Sequence, residues 1–208
     1  MSEARAKKIK LILFDVDGVL TDGTIWVFPA PSGIDQPTQL EARRHADSGG
    51  YAIVSHHLIE AKGFHAHDGT AISLARLGGL QTGLITKRIS ETVALRARDL
   101  KIDYVRQGVS HKLTVLDEIL QQAGLRDDQV AYVGDDIIDL GVMRRCGLAI
   151  AVPNAREEVK AVAHYTTEHR GGDGAARDAV EYILRAQGTL QEVQQKYMDG
   201  GRAATTPE

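Results

Sequence analysis

The chain is poor in cysteine, in aromatic residues and in surplus positive charge, and it has no long hydrophobic run. Its one cysteine, Cys146, has no internal disulfide partner, which suits a reducing compartment. In the context MRRCGLAIAV it reads as a small buried hydrophobe and not as a nucleophile. With 25 Lys and Arg against 28 Asp and Glu, the formal net charge is -3, so no global positive field gathers nucleic acid, and no nucleic-acid partner is expected. No apolar stretch reaches transmembrane length, and no hydrophobic segment of the signal-peptide kind follows the basic start MSEARAKK. No membrane partner is therefore expected, and the cytoplasm is the expected location. A length of 208 residues suits one large core and is short for two, so residues 1–208 read as a single domain.

The informative part begins at Lys10–Thr21, where the apolar run LILF opens onto DVDGVLT. Asp15 and Asp17 are two residues apart, so on extended backbone they leave the same face, close enough to repel. A divalent cation compensates such a pair, and hard Mg²⁺ prefers oxygen ligands. Gly18 allows the sharp turn after them.

Residues 1–8 read as a short mobile arm. Ile25 to Phe28 form a candidate strand ended by prolines, and the polar, glycine- and proline-rich stretch 29–50 reads as an excursion with a helical turn near Gln39–Arg44. YAIVSHHLIE then resumes as the other arm, making 24–62 a projecting hairpin. A two-stranded arm is marginal alone, so it calls for another surface, such as a second subunit.

From His67 onward strands and helices alternate over short links. DGTAISLARLGG is a helix with Ile72, Leu74, Ala75 and Leu77 on its apolar face; QTGLITK a strand; SETVALRARDL a helix capped by Ser90. IDYVRQG, QVAYVGDD, LAIAV and HYTT come next as strands, with helices in HKLTVLDEILQQAG, DLGVMRRCG and AREEVKAVA between them. AARDAVEYILRAQG is a last helix, with TLQEVQQKYMDG read as its extension after Gly188 and 188–208 as a C-terminal tail ending in a disordered GRAATTPE. The pattern predicts an α/β fold, a Rossmann-like three-layer sandwich whose central parallel sheet is covered on both faces. In such sheets ligands lie beyond the C-terminal strand ends. That rule gathers Asp15, Asp17, Thr86, Lys112, Asp135 and Asp136 at one edge.

These residues permit phosphoryl transfer. Asp15 is the candidate nucleophile, forming an aspartyl-phosphate, and Asp17 the acid that protonates the leaving alcohol and then the base that activates water. Mg²⁺ is expected between an Asp15 oxygen, the Asp17 backbone carbonyl, Asp135 and a phosphoryl oxygen. Asp136 and Asp139 are expected to orient Asp135 or metal-bound waters, and Thr86 and Lys112 to bind phosphoryl oxygens. Arg88 either reaches the substrate or stays on the helix surface. His56, His57, His65 and His67 cluster in sequence without the spacing of a zinc site. GGDGAAR, 171–177, lacks the ending of a P-loop; its glycines allow a close backbone approach to a ligand or subunit, with Arg177 as an anion contact, or they form a flexible loop.

Four segments in this order, DVDGVLT at 15–21, Thr86, Lys112 and GDDIID at 134–139, resemble the motifs of the haloacid dehalogenase-like phosphatase superfamily. DVDGVLTDG, HDG at 67–69, QG at 107–108 before HK at 111–112, AYVGDDIIDLGVM and GGDGAAR resemble its small capless phosphatases of 3-deoxy-D-manno-octulosonate 8-phosphate. The resemblance implies a capless fold with a projecting hairpin, a homotetramer in which that hairpin closes a neighbour's site, Mg²⁺ as cofactor and a phosphorylated sugar acid as substrate. It also implies Asp15 as nucleophile, Asp17 as acid/base, Asp135 as metal ligand, and Thr86 and Lys112 as phosphate binders. His67, Gly69, Arg88 and Arg177 remain candidate substrate contacts. Family members read TGR or TSR where this chain has Thr86-Lys87-Arg88, and related capless phosphatases act on nine-carbon sialic-type acid phosphates. That substrate is the first alternative, and a non-catalytic binding or assembly module on the same fold the second.

Overall fold

Leu11–Phe14 form strand β1, and all four residues are completely buried. Such a run is what a central parallel strand requires, because it is covered by helices on both faces. The computed structural model describes residues 2–29 and 58–200. The expected helical turn at Gln39–Arg44, most of the 29–50 excursion, His56 and His57, and the GRAATTPE end lie outside them.

Beyond β1 the chain runs through β2 (Trp26–Pro29), β3 (Leu58–Ala61), helix α1 having preceded β1 at Ser2–Ala6, then α2 (Ala66–Leu77), β4 (Gln81–Ile85), α3 (Glu91–Asp99) and β5 (Tyr104–Arg106). The second half holds α4 (Lys112–Ala123), β6 (Val130–Gly134), α5 (Leu140–Arg145), β7 (Leu148–Ala151), α6 (Glu157–Lys160), β8 (Tyr165–Thr166), α7 (Ala175–Ala186) and α8 (Leu190–Met198). Six strands pair in parallel in the order β5-β4-β1-β6-β7-β8. The chain winds outward from β1 through β4 to β5, then crosses back to lay β6 on the other side of β1. The strand order reverses there, and the crevice beyond the ends of β1 and β6 is where doubly wound sheets bind ligands.

The helices cover both faces, as the alternating pattern predicts. On α7 the buried residues Ala175, Ala176, Ala179, Val180, Ile183 and Leu184 recur at three- and four-residue spacing, which lays one stripe against α2 and into the common core. Full burial of each larger aliphatic chain there contributes about 1.5–3 kcal/mol. On α2, Ile72, Leu74 and Ala75 are buried and Leu77 packs against the same core. Ser90 caps α3 by accepting from the Val93 N–H at 3.4 Å.

Two terminal expectations are corrected. Residues 2–6 are helical: Ala6 is buried, and Arg5 Nη1 donates to the Gly147 carbonyl at 2.8 Å, which ties the segment down. α8 does not extend α7, because Gly188 takes φ +75 and breaks the helix before Leu190.

Strands β2 and β3 pair antiparallel as a sheet of their own, Trp26 opposite Ala61 and Phe28 opposite Ile59. Trp26 is 56% exposed and Phe28 45%, with their rings stacked 6.4 Å apart, while Val27, Leu58 and Ile59 are exposed beside them.

Candidate active site

β1 and β6 lie side by side with Phe14 opposite Val133, so the next residues, Asp15 and Gly134-Asp135, emerge together beyond the sheet. The Asp15 N–H donates to the Val133 carbonyl at 3.0 Å, which prolongs the pairing to the carboxylate-bearing residue. Oxygens of Asp15, Asp135 and Asp139 lie within 4.8 Å of one another. No other group of three or more His, Cys, Asp or Glu side chains with such spacing exists among the described residues.

Lys112, the first residue of α4, offsets part of this cluster's charge. Its Nζ donates to Asp15 Oδ1 at 2.8 Å, Asp139 Oδ1 at 2.7 Å and the Tyr132 hydroxyl at 3.0 Å. An ammonium has three N–H donors, and all three are used. The Tyr132 hydroxyl in turn donates to Asp139 Oδ1 at 2.7 Å. Burial first, then Asp139 and Asp15, raise Tyr132 well above the ordinary phenol range, so it stays a neutral donor.

Asp139 is completely buried, and its second oxygen accepts the backbone N–H groups of Asp135 at 3.0 Å and Asp136 at 3.2 Å. Both oxygens are therefore filled by protein donors, and Asp139 holds the 134–136 turn and Lys112 in place. Gly134 is required there, since a Cβ would fall 2.7 Å from the Asp139 side chain. Asp136 is exposed and caps the short turn Ile137–Asp139, accepting from the Ile137 N–H at 2.7 Å.

Asp135 differs from its neighbours. Its Oδ1 is buried without a hydrogen-bond partner. Burial, then the charges of Asp15, Asp139 and Asp136, push its carboxyl up to about 8. Asp15 is pushed up to about 6, chiefly by burial, against the pull of the Lys112 ammonium. An orphaned buried oxygen in a group of three carboxylates served by a single ammonium fits a hard divalent cation.

The loop after β1 is shaped around these groups. Gly18 takes φ +95, and a side chain on it would strike the Asp135 carboxylate. Asn154 Nδ2 donates to the Gly18 carbonyl at 2.9 Å, and Asn154 Oδ1 accepts from the Gly171 N–H at 2.8 Å. The glycine cluster is thus neither a loose loop nor open to a partner at this point. Its backbone packs on Gly18–Asp22, with the Gly172 N–H donating to the Val19 carbonyl at 3.0 Å.

Asp17 points to a different set of groups. Its Oδ1 accepts from Lys62 Nζ, and its Oδ2 lies 3.8 Å from Arg88 Nε. Arg88 Nη2 also meets Glu60 Oε2 at 3.1 Å, and Arg88 is buried, so it is no surface cation. Thr86 is buried one residue beyond β4, its hydroxyl accepting from the Arg88 N–H at 3.4 Å.

The remaining candidates sit elsewhere. Asp68 is buried and accepts from the N–H groups of Gly174 at 3.3 Å and Arg177 at 3.0 Å, fastening the start of α7 to α2. Gly69 is buried where a Cβ would meet Arg96 Nη2 at 2.5 Å, so this glycine makes room for a helix contact. His67 is exposed, edge-on to His65 with ring centroids 4.7 Å apart. The Arg177 side chain pairs with Glu181, one turn along α7. Sequence reasoning missed Lys62, Tyr132 and Asn154. Tyr132 alone carries a local signal, a phenol inside an otherwise aliphatic strand.

The model of a haloacid dehalogenase-like hydrolase family matches residues 84–177. The 3-deoxy-D-manno-octulosonate 8-phosphate phosphatase KdsC of Escherichia coli is 34% identical over 189 residues, 91% of this chain and 86% of that protein. The chain belongs to the 3-deoxy-D-manno-octulosonate 8-phosphate phosphatase family of haloacid dehalogenase-like hydrolases. The solved phosphatase of this family from Moraxella catarrhalis, in complex with magnesium, phosphate and KDO, is 33% identical with a TM-score of 0.77, covering 94% of this chain and 97% of its own. That from Yersinia pestis is 33% identical with a TM-score of 0.75, covering 91% and 88%.

Proposed function

We propose that this chain is a Mg²⁺-dependent phosphomonoesterase that hydrolyses 3-deoxy-D-manno-octulosonate 8-phosphate to 3-deoxy-D-manno-octulosonate and phosphate. The observation that carries the reading is the close Asp15–Asp135 pair, with a buried Asp135 oxygen left orphaned and Lys112 on Asp15, in a chain 34% identical to a phosphatase of that sugar phosphate over nearly its whole length.

Asp15 attacks phosphorus as the ester P–O bond breaks, giving an aspartyl-phosphate, and Asp17 gives its proton to the departing alkoxide. Asp17, now a carboxylate, takes a proton from the water that cleaves the aspartyl-phosphate. Asp15, Asp135 and the backbone carbonyl of Asp17 would hold Mg²⁺, whose charge keeps the carboxylates ionised and offsets that of the phosphoryl oxygens. Lys112 and the Thr86 hydroxyl take the remaining phosphoryl oxygens; Lys112 does so by exchanging one of its three protein acceptors.

The exposed apolar hairpin supports a homotetramer, since Trp26, Val27, Phe28, Leu58 and Ile59 gain nothing in water and would be covered by neighbouring copies. A buried, unpaired Cys146, and the absence among the described residues of a helix long and apolar enough to cross a membrane, support a cytoplasmic setting. A panel of eight- and nine-carbon sugar-acid phosphates, assayed with Mg²⁺ and with a chelator, tests the reading. The eight-carbon acid 8-phosphate is expected to give the highest kcat/KM, lost on chelation. A higher value on a nine-carbon 9-phosphate moves the assignment to that substrate, and no turnover on any of them rejects the enzyme.

A further inference from the structure

We propose that Lys62, the first residue after the hairpin's return strand, is a positioning residue that aims the Asp17 carboxylate for proton transfer to the leaving oxygen. The inference rests on the reading of Asp17 as acid/base and adds a group that acts through it.

The Lys62 side chain is completely buried, which is uncommon for lysine, and its ammonium is spent on Asp17 Oδ1. Desolvating that amine is costly, and the contact it secures is with a carboxylate still 23% exposed on a loop. The end of β3 that delivers Lys62 is itself held firmly. Glu60 Oε1 accepts from the Ser90 hydroxyl at 2.6 Å, its Oε2 from Arg88 Nη2 at 3.1 Å, and its backbone carbonyl from the Thr92 hydroxyl at 3.3 Å. Arg88, bonded to Glu60, also faces Asp17 Oδ2 at 3.8 Å. Asp17 is thus framed by Lys62 on one oxygen and Arg88 on the other, with Glu60 bracing both. The hairpin therefore reaches Asp17 through its own return strand, independently of any contact made by Trp26 and Phe28.

The consequence is confined to proton transfer. As the ester P–O bond breaks and the Asp15–phosphorus bond forms, the proton on Asp17 passes to the alkoxide, and this needs one carboxyl oxygen within hydrogen-bond reach of the leaving oxygen. An alkyl leaving group depends on that proton; the p-nitrophenolate ion leaves without one. Since kcat/KM reports the steps through aspartyl-phosphate formation, a misaimed Asp17 lowers it for the sugar phosphate and spares the aryl ester.

Lys62→Met and Lys62→Arg, in the intact chain with saturating Mg²⁺, are assayed on 3-deoxy-D-manno-octulosonate 8-phosphate and p-nitrophenyl phosphate. For Lys62→Met the expected loss of kcat/KM is about 10²-fold on the sugar phosphate and under roughly threefold on the aryl ester, with Lys62→Arg recovering part of the former. Equal losses on both substrates, or none on either, overturn the proposal. Lys62→Arg keeps the charge if the methionine variant does not fold, and an equal loss on both substrates in that variant overturns it too. Asp17→Asn in the same assays separates the two readings. If Asp17→Asn shows no preference for the aryl ester, the acid/base assignment fails; if it does and the Lys62 variants do not, only the role of Lys62 fails.

Discussion

Lys112 Nζ lies 2.8 Å from Asp15 Oδ1, and the same ammonium is 2.7 Å from Asp139 Oδ1, so one buried cation stands between a carboxylate at the reacting edge and one that supports it. Under the proposed mechanism this pair would keep a buried Asp15 available to phosphorus: burial raises its proton affinity and Lys112 opposes the rise.

Lys112→Met leaves Asp15, Asp139 and the Tyr132 hydroxyl without their shared donor. Breaking a buried ion pair from one side costs about 3–5 kcal/mol, and denaturant unfolding without Mg²⁺ is expected to register a loss of that order. Turnover is expected to fall roughly 10²–10³-fold, as for removal of a donor aimed at developing charge. Unchanged stability would mean that the ammonium does not compensate these carboxylates.

Two glycines give opposite expectations. At Gly171 a Cβ would overlap the Gly18 carbonyl and lie 2.9 Å from the Val19 nitrogen, both backbone, so Gly171→Ala is expected to cost about 1–3 kcal/mol and to lower kcat by displacing the loop that carries Asp17. At Gly63 nothing lies within 4 Å, and Gly63→Ala is expected to change stability by less than about 1 kcal/mol. Thermal unfolding and steady-state kinetics of the two variants check this, and equal effects would contradict it.

Metal and pH are linked through Asp135. Without metal its folded carboxyl titrates near 8, against an ordinary 3.8, so between these values the folded protein holds a proton that the unfolded chain has released. Stability of the metal-free protein from this group is present below about pH 4 and is lost as pH rises toward 8. Mg²⁺ held by Asp135 would take the place of that proton. The gain in melting temperature on adding Mg²⁺ is therefore expected to be larger at pH 8 than at pH 5; a gain independent of pH, or larger at pH 5, would contradict the ligand assignment.

For the hairpin, Trp26→Asp combined with Phe28→Asp charges the exposed stacked pair. Light scattering is expected to report a particle smaller than a tetramer, with reduced turnover at low protein concentration. A tetramer that survives both substitutions would place its interface elsewhere.

Much of the architecture was legible because it is written locally. LILF, VAYVG and LAIA are apolar throughout, as strands covered on both faces are, and the helices between them carry one apolar stripe each. The gathering of Asp15, Asp135 and Lys112 came from topology alone, since parallel strands deliver the residues at their C-terminal ends to one edge. The supports were illegible because each joins distant segments: Lys62 to Asp17, Asn154 to both Gly18 and Gly171, Asp68 to the start of α7. HDG at 67–69 suggested a substrate contact, yet Asp68 caps a helix and Gly69 makes room for Arg96, demands set by packing that neighbouring residues do not announce. The terminal helix at Ser2–Ala6 was missed because its stability comes from Ala6 and Arg5 docking on the sheet, not from its own short sequence.

The most direct test is rapid-quench mass spectrometry of the Mg²⁺-loaded protein turning over 3-deoxy-D-manno-octulosonate 8-phosphate, run beside Asp15→Asn. The expected result is one phosphoryl group on the peptide that carries Asp15, absent from Asp15→Asn, whose turnover falls by roughly 10³-fold or more while its melting curve persists. Turnover by Asp15→Asn comparable to that of the unaltered protein, or phosphate carried on another residue, would contradict the account.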